Sequence, residues 1–127
     1  MAAPLWPRLR ALTMRSNDST EPEMPSPSEQ LARTFAECKP LFFALAEIPR
    51  QQILLVLTQH EALNVNQIAE RLPLSRPAIS HHLKILREAG LVEVRQRGTE
   101  NLHVLSTNAA VELLARCAAE LNACGPD

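Results

Sequence analysis

The sequence predicts a mainly α-helical domain with one β-hairpin, in the order α-α-α-α-β-β-α. Three observations carry this expectation. Apolar residues recur at helical spacing through most of residues 28–124. Two short β-prone runs, "LVEVRQ" and "NLHVLS", flank the turn-like "RGTE". Hydrophobic residues make up 46% of the 127-residue chain but aromatics only 3%, so Leu, Ile, Val and Ala must build the core, which suits helices.

The length points to one small domain with a tail, and a dimer would bury surface that a monomer of this size lacks. Residues 1–27 hold Pro4, Pro7, Pro22, Pro25 and Pro27 among Ser, Asn, Asp and Glu. That composition buries too little to fold and reads as a disordered tail, in which Met14 and Met24 are alternative starts to Met1. The folded domain is expected over 28–124, with 125–127 as a short end.

The first helix is expected in "SEQLARTFAECKPLFFALAE", with Leu31, Phe35, Leu41, Phe42 and Leu45 on one face. Pro40 lacks an N–H and clashes with the preceding turn, so a break or kink is expected near Lys39. A second helix starts at Pro49 and turns Ile53, Leu54, Val56 and Leu57 inward. In "LNVNQIAERLPLS", Asn64 and Gln67 have the spacing of a capping box, and Ile68, Ala69 and Leu72 form the buried face. Pro73 stops simple continuation. Ser75 then caps a fourth helix, which tolerates Pro77 in its first turn, buries Ile79, Leu83 and Leu86, and ends at Gly90. After the hairpin, Ala110, Leu114, Cys117, Leu121 and Cys124 follow the 4-3-4-3 spacing of a helix that packs on another helix.

Net charge is −1, but it is unevenly spread. Arg71, Arg76, Lys84, Arg87, Arg95 and Arg97 face only Glu88 and Glu93 between Arg71 and Arg97, whereas the segment after Gly98 is acidic. Such a basic patch supplies local phosphate contacts that the total charge hides. No apolar run has the length of a membrane span or a secretory core, and Cys38, Cys117 and Cys124 are odd in number and widely spaced. The default compartment is a reducing cytoplasm.

Two short helices with a three-residue joint, followed by a two-stranded ribbon, make a winged helix-turn-helix. A helix fits the DNA major groove, and its outward residues near the N-terminus reach base edges. Here these are Ser75, Arg76, Pro77, Ser80, His81 and Lys84. Arg76 suits a bidentate contact to guanine or a phosphate, the two serines suit phosphates or bases, and the helix N-terminus attracts phosphate. Arg95 and Arg97 on the ribbon, beside Gly98, are placed for a minor groove or backbone. Each of these side chains taken alone is ordinarily just solvated, and the common frame is what favours contact. His82 falls on the inner side beside Leu83 and reads as structural.

"LAEIPRQQILLVL" and "NVNQIAERLPLSRPAISHHLKILREAGLVEVRQRGTENLHVLS" resemble the ArsR-type family of small bacterial winged-helix repressors, with similarity from about Leu31 to Leu121. The resemblance implies a homodimer through the first and last helices, an inverted-repeat operator in double-stranded DNA, and repression relieved by an effector. Pro73 departs from the glycine often found in the helix-turn-helix turn. One metal site of the family needs Cys-x-Cys where this chain has Asn64 and Asn66, and neutral amides are poor ligands for soft metals. The other uses Asp and His on the last helix, which here has no His. No metal or other cofactor is expected.

The cysteines stay open between two roles. They fit packing as small hydrophobes. They also fit a thiol sensor in which Cys38 meets Cys117, Cys124 or a symmetry mate and responds to As(III) or oxidation. Cys117 and Cys124 are about 10.5 Å apart along a helix, too far for a disulfide with each other. Two further classes compete with the repressor. One is a winged-helix protein-interaction module without DNA binding. The other is an enzyme, disfavoured because Ser80, His81 and His82 make no triad and no phosphate loop is present.

Overall fold

The computed structural model describes residues 24–125. Most of the expected tail, residues 1–23, and the last two residues lie outside the described part. Seven elements follow in order: α1 (Pro27–Leu45), α2 (Ile48–Thr58), α3 (Val65–Ala69), α4 (Arg76–Glu88), β1 (Val92–Arg97), β2 (Glu100–Leu105) and α5 (Asn108–Cys124). The order matches the α-α-α-α-β-β-α expectation, and the architecture is a winged helix-turn-helix. The residues group into two compact units, 39–112 and the stretches 24–38 with 113–125, so α1 and α5 each contribute to both.

In the larger unit, α2 and α3 pack on α4, β1 packs on α4, and β2 packs on α2 and α3. Ile53, Leu57, Leu63, Ile68, Ile79, Leu83, Leu86, Leu91 and Val92 form its aliphatic core. The strands are antiparallel, with Val92 opposite Leu105 and Arg97 opposite Glu100. Gly98 takes φ +64°, the left-handed conformation such a tight turn needs. Leu63 adds a single bridge to His103, which the sequence did not announce because one paired residue leaves no periodicity.

The caps fall largely where the residue types place them. Asn64 and Gln67 form a reciprocal capping box at α3, with Gln67 N–H to Asn64 Oδ1 at 2.8 Å and Asn64 N–H to Gln67 Oε1 at 2.9 Å. Gly90, at φ +78°, ends α4, with its N–H donating to the Arg87 carbonyl and Leu91 N–H to the Leu86 carbonyl. This pair is the Schellman arrangement. Ser26 and Glu29 form a further reciprocal pair at the start of α1, at 3.2 Å each way. The Ser-x-x-Glu spacing was readable there but lay across the expected edge of the tail.

Four expectations need correction. α1 runs through Pro40 without a break. An interior proline costs about 3 kcal/mol, and the buried stripe Leu31, Thr34, Cys38, Leu41 and Ala44 on both sides of it offsets this. That stripe also replaces the expected face, since Phe35 and Phe42 are exposed. The joint between α3 and α4 spans residues 70–75 rather than three, because Pro73 disfavours helix at Leu72. On α5, Ala110 and Cys117 are buried, Cys124 is half-buried, and Leu114 and Leu121 are exposed.

Candidate nucleic-acid interface

The outer face of α4 is set by its cap. Ser75 is extended, and its Oγ accepts the Ala78 N–H at 3.2 Å, while Pro77 occupies the first turn. Burial of Ile79, Leu83 and Leu86 fixes which side faces the core. Ser75, Arg76, Pro77, Ser80, His81 and Lys84 are then all exposed along the opposite side. The helix start is a narrower anion site than its sequence suggested. Pro77 has no N–H and the N–H of Ala78 goes to Ser75, so the Arg76 N–H is the first-turn donor left for a ligand.

On the hairpin, Arg95 and Arg97 are exposed and two residues apart, so they share one face of the ribbon. With Glu61, Gln67, Gln96, Glu100 and Leu102 they border an open cleft of about 480 Å³ between the wing and the start of α3. The cleft therefore mixes two cations with two carboxylates rather than being uniformly basic.

His82 sits on the flank of α4 and is half-buried, as its position beside Leu83 suggested. Its Nδ1 lies 3.3 Å from Arg50 Nη1. Arg50 is only 3% exposed. Its Nε–H donates to the Ala44 carbonyl at 2.8 Å and its Nη2 to the Phe43 carbonyl at 2.9 Å, while Cζ stands 5.0 Å from the Phe43 ring centroid. Gln51 Nε2 donates to the Leu45 carbonyl at 2.7 Å. Two side chains from α2 thus donate to the Phe43, Ala44 and Leu45 carbonyls at the end of α1, and the Ala46 N–H also reaches the Phe43 carbonyl at 3.4 Å. Sequence reasoning missed Arg50, because an arginine in the first turn of a helix ordinarily reads as solvated.

Residues 49–94 match the family model described as "Bacterial regulatory protein, arsR family". The transcriptional activator HlyU of Vibrio cholerae is 35% identical over 97 residues, spanning 74% of this chain and 89% of that protein. Among solved structures, an ArsR-like transcriptional regulator from Rhodococcus sp. RHA1 aligns with a TM-score of 0.62 and 34% identity, covering 72% of this chain and 85% of that one. A homodimeric winged helix-turn-helix DNA-binding domain from Mycobacterium bovis aligns with a TM-score of 0.59 and 27% identity, covering 78% and 91%. The chain belongs to the ArsR family. It is a DNA-binding transcriptional regulator with the family's winged helix-turn-helix, and these relatives are named as transcriptional regulators.

The positions where an ArsR-type site would have Cys-x-Cys carry Asn64 and Asn66. Asn64 is committed to structure, with Oδ1 capping α3 and Nδ2 donating to Glu100 Oε1 at 3.3 Å. Among the described residues, no three of His, Cys, Asp and Glu come together to hold a metal ion. No single helix among them is long and apolar enough to cross a membrane.

The three cysteines are free thiols. In the smaller unit, buried Cys38 of α1 lies beside buried Cys117 of α5. Burial pushes the Cys38 thiol pKa up, and Cys117 and then Glu120 raise it further. Glu120 also meets the Thr34 hydroxyl, which lies 3.1 Å from the Gln30 carbonyl as well. Arg116, next to Cys117 in the sequence, pairs with Glu37. The raised pKa works against activation of Cys38 as a nucleophile. Cys124, seven residues beyond Cys117, stands apart from this pair.

Proposed function

We propose that this ArsR-family chain is a cytoplasmic homodimer that binds an inverted-repeat operator and represses transcription. The observation that carries the reading is the exposed row Ser75, Arg76, Pro77, Ser80, His81 and Lys84 on the core-anchored helix α4, with Arg95 and Arg97 on the wing. Arg76 and Lys84 supply cationic contacts, Ser75, Ser80 and His81 supply polar ones, Pro77 offers an apolar edge, and the wing arginines hold the backbone. Dimerisation draws support from exposed Phe35 and Phe42 on α1 and Val111, Leu114 and Leu121 on α5. These are side chains that a partner would cover. The homodimeric state named for the M. bovis domain agrees with it. Two α4 helices in successive major grooves require half-site centres about 34–36 Å apart. The folded unit is taken as residues 28–124.

The test is a salt series of purified protein binding its own upstream DNA, with and without reductant. Specific binding that weakens steeply as salt rises supports the operator reading, because phosphate contacts release counterions. Salt-independent or absent binding to any promoter fragment supports the protein-interaction module instead. Because HlyU is named an activator, a reporter with the operator overlapping the promoter decides the sign of regulation.

A second reading concerns the effector and rests on the Cys38–Cys117 neighbours. Two adjacent thiols suit As(III), which as arsenous acid exchanges two hydroxyls for two Cys sulfurs and releases two waters. They equally suit a two-electron oxidant such as a hydroperoxide, which leaves a disulfide, an alcohol and water. Either change alters contacts between α1 and α5, the helices assigned to the dimer. Loss of DNA binding on adding arsenite or hydroperoxide, abolished in Cys38→Ser, supports sensing. Equal binding in both states returns the pair to packing.

A further inference from the structure

Arg50 and His82 are not used by the contact surface just described, yet they join its helix to the end of α1. We propose that Arg50 is a positioning residue that fixes the pose of α4 through His82, and that this hold lasts only while His82 is neutral. The inference rests on the DNA-binding face assigned to α4 above.

A guanidinium has five donors and no acceptor. The 3.3 Å approach of Arg50 Nη1 to His82 Nδ1 is therefore a hydrogen bond only when Nδ1 carries a lone pair. That requires the neutral ring with its proton on Nε2. Once His82 is protonated, two cations face each other across the same gap. The groups facing the ring are Arg50 from α2, His81 from α4 itself and Glu47 from the joint between α1 and α2. Only Glu47 favours the charged form. Burial first, then Arg50 and His81, push the His82 pKa below its ordinary value of 6.5.

The geometry also says which partner gives way. Arg50 is buried, and two of its other donors are bound to the Ala44 and Phe43 carbonyls at the end of α1. His82 is half-buried at the flank of α4. Repulsion is thus relieved by moving His82, and His82 lies between the exposed contact residues His81 and Lys84.

The experiment compares the full chain with its His82→Asn variant. Asn presents an acceptor near the Nδ1 position and does not titrate. Affinity for a labelled duplex of the protein's own upstream DNA is measured at fixed salt from about pH 7.5 to about pH 5.5, alongside nitrogen NMR of the imidazoles. Because His81 is common to both proteins, the ratio of their affinities isolates His82. The expected result is near-equal affinity at the upper pH and wild-type binding weaker by about fivefold or more at the lower. Neutral His82 should carry its proton on Nε2. A ratio that stays flat, or a neutral His82 with its proton on Nδ1, overturns the proposal. If neither protein binds any duplex, the DNA reading fails by itself, and the NMR titration still decides positioning. Backbone shifts of residues 76–84 that move with the His82 titration uphold it, and unmoved shifts remove it.

Discussion

The Oγ of Ser75 accepts the backbone N–H of Ala78 at 3.2 Å, and this bond fixes where α4 begins. Ser75→Ala removes the acceptor and should cost about 1 kcal/mol of stability, read as a lower urea midpoint with unchanged slope. Ser75→Asp separates the cap from the DNA contact. It restores the hydrogen bond, and thus stability, but sets a carboxylate where phosphate is expected, so DNA affinity should fall while the urea midpoint recovers. Recovery of both would remove Ser75 from the contact surface.

Arg76 is fully outside the core, so its replacement tests recognition with little effect on folding. Arg76→Ala should weaken operator binding by about 1–3 kcal/mol. Arg76→Lys tells the two kinds of contact apart. A lysine replaces a phosphate contact well but a bidentate guanine contact poorly. Competition assays with base-substituted duplexes read the difference, because only a base contact relaxes specificity at one position.

How much of this was legible in the sequence depends on range. Ser75, Asn64, Gln67 and Gly90 act on neighbours three to five residues away, so their roles follow from spacing alone. Ile79, Leu83 and Leu86 follow from helical period in the same way. Arg50 was illegible because its partners lie on α1 and α4, and only tertiary packing turns a first-turn arginine into a buried one. The face of α1 was misread because its buried stripe contains Thr34 and Cys38, while the larger Phe35 and Phe42 remain outside. Hydrophobicity ranks the phenylalanines first, and that ranking fails on a helix whose exposed apolar residues suit a partner subunit. The apposition of Cys38 and Cys117 was one of the alternatives the sequence left open, and choosing it required the fold, since 79 positions separate them.

The wing arginines should contribute charge rather than sequence discrimination. Arg95→Ala and Arg97→Ala should each weaken binding about equally across sequences and reduce the salt slope of log affinity by about one. Glu61 and Glu100 border the same cleft and oppose phosphate there. Glu100→Gln should therefore tighten binding modestly, chiefly at low salt where screening is weakest. A salt slope unchanged by either arginine replacement would take the wing off the DNA.

His103 gives stability a pH dependence of defined sign. It is 6% exposed, and its Nδ1 is buried without a hydrogen-bond partner among the described residues. Burial first, and Arg87 second, push its pKa below the ordinary 6.5. Between that lowered value and 6.5 the unfolded chain binds more protons than the folded one. Stability therefore rises with pH in this window and is lost as pH falls through 6.5 towards the folded-state value. His82 adds a contribution of the same sign. Urea midpoints from about pH 7.5 to about pH 5 should fall for the wild type and fall less for His103→Leu. The backbone pairing with Leu63, at 2.7 and 3.1 Å, does not depend on the ring and survives the change. At neutral pH the leucine should be close to neutral or slightly stabilising, because it removes a buried polar atom that has no partner. A variant with the same acid slope as the wild type would assign the loss to His82 and the carboxylates instead.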